Sequence, residues 1–213
     1  MKIKICGLSR PEDIEYANRL GPDYIGFVFA KSSRQISYGQ AARLKDSLRR
    51  GITAVGVFVD APLHEIINCL EMGIIDMAQL HGQETERDIR SIRSAAAGPV
   101  IKAVKVRSQG DVEKWLNSSA DYLLFDSGQG TGKAFDWSLL HGVERDFFLA
   151  GGIGAENMEE ACRLVKPWCI DVSSGAETNG VKDPQKMAKL IETAHGIAAG
   201  EQRKPERERN LEE

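Results

Sequence analysis

The sequence predicts an α/β fold, a single closed (β/α)8 barrel of the TIM type, and three observations predict it. Short β-branched or aromatic runs alternate with helical patterns along the chain, there are eight such runs, and several end in residues that can do chemistry. Strand, helix, strand repeats pair in parallel through right-handed crossovers, and eight of them can close on themselves. A doubly wound open sheet made of the same units is the alternative that pattern alone leaves open.

In chain order the strands are expected at 3–7, 24–29, 54–59, 77–81, 100–106, 122–126, 147–150 and 169–173. The first helix should start at Ser9 before Pro11, with Glu12 three residues after the serine, and later helices at Ala61 before Pro62 and Asp183 before Pro184. The stretch from Asp136 to Leu140, after the sixth strand, is a poor helix. Residues 1–199 are read as one barrel domain. Residues 200–213, nearly all charged or polar around Pro205, are read as a disordered tail without a function of its own.

Composition sets the class of partner. A chain of 213 residues that is 42% hydrophobic can bury a sizeable core. A net charge of −3 provides no basic field for nucleic acid or an anionic membrane, so a small molecule is the expected partner. Four cysteines, Cys6, Cys69, Cys162 and Cys169, form no C-x-x-C pair and sit in apolar segments, as reduced thiols of a cytoplasmic protein do. The opening residues alternate apolar residues with lysine, and no run of about 18 apolar residues occurs. The expected location is the cytoplasm, with no membrane partner and no disulfide.

In a barrel every second strand residue points inward, and active sites form at the carboxyl ends of the strands. Counting by twos puts Lys4, Cys6, Gln79, His81, Asp126 and Asp171 inside, a set too polar for a core that needs only filling. Lys4 and Asp171 can satisfy each other as a buried pair. Cys6 and Asp126 stand near the strand ends, where the barrel opens.

Glycine placement points to an anion. Gly151 and Gly152 follow the seventh strand, and Ser173, Ser174 and Gly175 close the eighth, the two loops where such barrels commonly hold a phosphate. Ordinary tight turns remain the alternative for either loop taken singly. A third glycine-rich stretch, Gly128-Gln129-Gly130-Thr131-Gly132-Lys133, fails as a nucleotide-binding loop, because the spacing is wrong and Ala134 stands where a hydroxyl should hold magnesium. It suits a mobile loop that closes over the site after Asp126, or simply a flexible connection.

Several blocks together resemble phosphoribosylanthranilate isomerase. They are Lys4-Ile5-Cys6-Gly7-Leu8, Gly26-Phe27-Val28-Phe29 with Ser33-Arg34-Gln35-Ile36-Ser37, Gly56-Val57-Phe58-Val59, Gln79-Leu80-His81-Gly82, Gly130-Thr131-Gly132-Lys133 with Phe135-Asp136-Trp137, and Asp171-Val172-Ser173-Ser174-Gly175 with Glu177. The similarity runs in order to about His195. It implies a (β/α)8 barrel that catalyses the Amadori rearrangement of N-(5-phosphoribosyl)anthranilate to 1-(2-carboxyphenylamino)-1-deoxyribulose 5-phosphate, the third dedicated step of tryptophan biosynthesis. No cofactor or metal is implied, and the chain would act as a monomer or homodimer.

By the same resemblance, Cys6 matches the general base that removes the proton from sugar C2, and Asp126 the general acid that opens the ring. A thiol of pKa about 8.5 is only slightly ionised at neutral pH, so the site must depress it or work from the available thiolate. An ordinary carboxyl, near 3.9, must be raised. Arg34 matches the group that recognises the anthranilate carboxylate, for which a forked guanidinium suits better than lysine. His81 is expected to touch or orient substrate, and His64, His141 and His195 receive no role. Ser9 stands where the family more often has threonine, which should preserve helix capping. The related histidine-pathway isomerase pairs two aspartates, which Cys6 argues against, and a redox-sensing barrel would leave Asp126 and Arg34 without work.

Overall fold

The computed structural model describes residues 1–127 and 135–201, and so leaves the loop expected at 128–133 and most of the charged tail outside the described residues. Its centre is a closed barrel of β1 (Lys2–Cys6), β2 (Tyr24–Val28), β3 (Thr53–Phe58), β4 (Met77–Leu80), β5 (Val100–Lys105), β6 (Tyr122–Asp126), β7 (Phe147–Leu149) and β8 (Cys169–Val172). Each strand lies within a residue of its expected ends. The pairing of β1 with β8, Lys4 opposite Asp171, closes the ring and excludes the open sheet.

The helices are α1 (Pro11–Leu20), α2 (Tyr38–Asp46), α3 (Leu63–Glu71), α4 (Glu86–Ala95), α5 (Gln109–Glu113), α6 (Met158–Val165) and α7 (Pro184–Glu201). Among the described residues between β6 and β7 the chain makes a 3-10 turn, Trp137–Leu140, begun by Asp136 accepting from the Ser138 N–H at 3.0 Å. The poor helical pattern from Asp136 to Leu140 is therefore a short turn rather than an α-helix.

Local chemistry starts the helices. Thr85 caps α4 in a reciprocal box with Asp88, whose Oδ2 accepts from the Thr85 N–H at 2.7 Å. Asp183 begins α7 as expected, accepting from the N–H groups of Gln185 and Lys186 at 2.9 and 3.2 Å. Two expected starts are one residue early. Pro62 rather than Ala61 precedes α3, and Arg10 rather than Ser9 precedes α1. At α1 the carboxylate that reaches back belongs to Asp13, not Glu12, and it accepts from the N–H groups of Ser9 and Arg10 at 2.9 and 3.1 Å. Asp13 can do this because it is buried against the barrel, whereas Glu12 faces solvent.

Two apolar cores result. The larger lies between barrel and helices, where Ile5, Phe27, Phe58 and Phe125 pack against residues such as Ile14, Ile66, Ile89 and Leu190. Each fully buried side chain of this size contributes roughly 1.5–3 kcal/mol. The smaller fills the barrel itself with Tyr24, Val55, Met77, Ile101, Leu124, Phe148 and Cys169. Phe148 meets the edges of Tyr24 and Tyr122 at centroid distances of 5.4 and 5.6 Å, sealing the amino-terminal end. Toward the carboxyl end the same inward rows turn polar, and the site begins there.

After β8 the chain adds a small antiparallel pair, β9 (Glu177–Thr178) and β10 (Val181–Lys182), joined by Asn179 and Gly180 at φ 52° and 78°. Positive φ at both central residues is what a tight hairpin turn requires.

Candidate active site

Inward parity holds where it was applied. Cys6, Gln79, His81, Asp126 and Asp171 all line one cavity of about 250 Å³ at the carboxyl end of the barrel. Lys4 lies beneath it, fully buried, with its ammonium 3.0 and 2.9 Å from the two oxygens of Asp171. The loop residues expected to contribute join the same cavity: Arg34 after β2, Gly151 and Gly152 after β7, and Ser173, Ser174 and Gly175 after β8.

Cys6 ends β1 opposite Gly26 of β2. A β-carbon on Gly26 would stand 2.6 Å from the sulfur and 3.2 Å from the Lys4 Nζ, so the missing side chain is the space these two groups share. Burial pushes the Cys6 thiol above its ordinary pKa, and the Lys4 ammonium opposes that rise without cancelling it. These surroundings raise the thiol rather than depress it, so a base at this position would work from the available thiolate.

Asp126 ends β6 and approaches His81, its Oδ2 lying 3.3 Å from the His81 Nε2. The other ring nitrogen lies 3.1 Å from the Gln79 Nε2. With the Gln79 amide donating to Nδ1, the imidazole keeps its proton on Nε2 and aims it at Asp126. Gly151 makes this corner possible. At φ +84° a β-carbon there would sit 2.6 Å from the Asp126 Oδ1 and 2.7 Å from the Ser127 nitrogen.

Arg34 is held from behind. Its Nε and Nη2 donate to the two oxygens of Glu177 at 2.6 Å each, a fork-on-fork pair that leaves Nη1 and one Nη2 hydrogen uncommitted among the described residues. Glu177 also accepts from the Lys182 ammonium at 2.5 Å, and Lys182 donates to the Ser173 carbonyl at 3.0 Å. Burial alone would raise the Glu177 pKa, but Arg34 and Lys182 hold the carboxyl below its ordinary range. A β-carbon on Gly7, at φ +85°, would overlap the Arg34 Cδ at 2.4 Å. Gly7 therefore lets the arginine lie across the end of β1.

The two phosphate-type loops are braced as well. Asn157 donates to the Gly152 carbonyl at 2.8 Å and accepts from the Gly154 N–H at 2.9 Å, and the Ser173 hydroxyl donates to the Cys6 carbonyl at 3.1 Å. Sequence reasoning missed Lys182, Asn157 and the part Glu177 plays in holding Arg34. The Asn179-Gly180 pair is the signal that could have shown the hairpin carrying Glu177 and Lys182. Nothing local could have joined it to Arg34, more than a hundred residues earlier.

A larger recess of about 700 Å³ adjoins the cavity at His81 and Asp126 and runs outward past Lys102 and Trp115. It contains neither Cys6 nor either glycine loop, so the expected site residues gather in the smaller one.

The family model described as N-(5'-phosphoribosyl)anthranilate (PRA) isomerase matches residues 3–193. An N-(5'-phosphoribosyl)anthranilate isomerase of Caldanaerobacter subterraneus subsp. tengcongensis is 43% identical over 204 residues, 92% of this chain and 99% of the relative. A solved phosphoribosyl anthranilate isomerase in complex with reduced 1-(o-carboxyphenylamino)-1-deoxyribulose 5-phosphate superposes with a TM-score of 0.82 at 35% identity, covering 92% of this chain and 99% of that one. A structure of monomers generated from the dimeric enzyme of Thermotoga maritima matches with a TM-score of 0.82 at 36% identity and the same coverage.

Proposed function

The chain belongs to the phosphoribosylanthranilate isomerase family and catalyses the Amadori rearrangement of tryptophan biosynthesis, and from that premise we propose how its residues divide the work. Asp126, as the carboxylic acid, protonates the furanose oxygen while the anilino nitrogen pushes its electron pair to C1. The C1–O bond breaks and an iminium forms. The Cys6 thiolate then takes the proton from C2, and the C–H electrons form the C1–C2 double bond and neutralise the iminium. The enolamine tautomerises to the ketone, and a proton passes from Cys6 back to Asp126 through solvent, so the enzyme ends as it began.

Arg34 receives the anthranilate carboxylate with the N–H groups that Glu177 leaves to it. Gly151, Gly152, Ser173, Ser174 and Gly175 receive the phosphate, and His81 orients the acid. The observation that carries this division is that a thiol from β1 and a carboxyl from β6, strands that do not neighbour each other, line one cavity together with Arg34 and both glycine loops.

The test is the fluorescence decay of freshly made phosphoribosylanthranilate with wild type, Cys6→Ala and Asp126→Ala. Each variant should lose at least ~10²-fold in kcat, the usual scale of general acid–base catalysis. Full activity of either one would remove its assigned role and leave the reaction intact.

The same proposal takes residues 1–199 as the catalytic domain and the phosphorylated small molecule as its partner, with no nucleic acid. No described helix is long and apolar enough to cross a membrane, and the cytoplasm is the place proposed for the reaction. The Thermotoga relative is described as dimeric, and sedimentation would decide between monomer and homodimer for this chain.

A further inference from the structure

The barrel carries a charge pair that filling alone does not call for. Lys4 is wholly buried on an inward row, and removing an ammonium and a carboxylate from water costs more than packing apolar groups of the same size. The pair sits one layer below Cys6. Lys4 and Cys6 are alternate inward residues of β1, Asp171 is the register partner of Lys4 on β8, and Gly26 opposite Cys6 leaves open a space that the ammonium and the sulfur both border. Asp171 engages two of the three ammonium N–H directions.

We propose that Lys4, anchored by Asp171, is a positioning residue for the reaction: its remaining N–H serves the Cys6 sulfur as thiolate and so sets how much base is present when the C2 proton is taken. The proposal rests on Cys6 being that base. Burial works against the Lys4 charge, but Asp171 and the sulfur outweigh it and keep the group protonated well above the ordinary lysine range. A lysine held in that way is a fixed cation and cannot itself compete as the base.

Other charged groups face the sulfur. Lys182 of β10 pulls in the same direction as Lys4, and Asp171 pushes against it. Arg34, His81 and Asp126 share the cavity. Lys182, however, already donates to Glu177 and to the Ser173 carbonyl, whereas Lys4 stands one inward layer below Cys6 and borders the same open space at Gly26.

The experiment follows alkylation of Cys6 by iodoacetamide as a function of pH, read by peptide mass spectrometry, in parallel with kcat and KM. It compares wild type with Lys4→Met and, if that single variant fails to fold, Asp171→Asn with the doubly neutral Lys4→Met/Asp171→Asn, a pair that leaves no lone buried carboxylate and differs only in the lysine. In the folded variant the alkylation midpoint should rise by at least about one pH unit, that is, at least tenfold less thiolate at neutral pH. Turnover should fall in proportion with KM within about threefold, and should recover as the pH is raised toward 10.

An unchanged alkylation profile in a folded variant would overturn the proposal and reduce Lys4 to a filler of the barrel. Retained turnover by Cys6→Ala would overturn it by another route, since the base itself would then be elsewhere. The two failures are distinguishable because alkylation reports on the sulfur whether or not the sulfur is catalytic.

Discussion

Glu177 makes no bid for the substrate, yet it decides where Arg34 points. A charged hydrogen-bond pair of this kind is worth about 1.5–3 kcal/mol, and its loss should be felt in binding, because the carboxylate we propose for the arginine is present before and after the chemistry. Glu177→Gln should raise KM roughly tenfold and change kcat by less than about threefold in steady-state assays. A fall in kcat at constant KM would contradict that role. Gly26 is the opposite kind of residue, important for what it lacks. In Gly26→Ala the new methyl group would stand 2.6 Å from the Cys6 sulfur and must displace it. Misplacing a reacting group by an ångström can cost about 10²-fold, so kcat/KM should drop on that scale while circular dichroism still shows a folded barrel.

At the scale of the element, the hairpin of β9 and β10 is small but has a defined task. Its register sets Glu177 opposite Lys182, and the pair carries Arg34. Asn179 and Gly180 hold the left-handed backbone that the turn needs, and an alanine forced into it costs about 1–2 kcal/mol. The double substitution Asn179→Ala/Gly180→Ala should therefore raise KM in the same direction as Glu177→Gln. The barrel should melt within a few degrees of wild type, because only two residue pairs are lost. A large drop in melting temperature would mean that the hairpin holds the fold together and does not merely place the arginine.

The whole molecule inherits a pH profile from its buried and capping groups. The carboxyls of Glu86, Asp88, Asp111, Asp136, Glu177 and Asp183 are all held below their ordinary values, several of them by the hydrogen bonds that start helices and turns. A group lowered in the fold stabilises it above its unfolded pKa, and that contribution is lost as pH falls through the folded one. Thiols shift the other way. Burial pushes Cys69 up to about 11 from 9.0, so its contribution is complete below 9 and disappears toward 11. Melting temperature against pH should show a plateau from about pH 5 to 9, falling on both sides. A maximum displaced outside that window would contradict these assignments.

Much of this was legible in the chain itself, for identifiable reasons. Alternation with a period of two requires only that one face of a strand be buried, so the eight strands, and with them the inward set from Lys4 to Asp171, could be read from residue order. Cys6 and Asp126 were visible because they terminate such rows, and the glycine loops because few other residues suit such turns. Where sequence failed, the deciding partner lay far along the chain. Asp13 replaced Glu12 at the first helix start because packing against the barrel selected it. The Arg34–Glu177–Lys182 linkage exists only once β2 and the end of β8 have been brought together by closure of the barrel. The ionisation of Cys6 belongs to the same class. The sequence by itself determined which groups are present and which way they face, since both follow from local periodicity. Only the tertiary structure decided which charges lie beside the thiol and how deeply it is buried, because electrostatics depends on distance and dielectric, and neither is written in residue order.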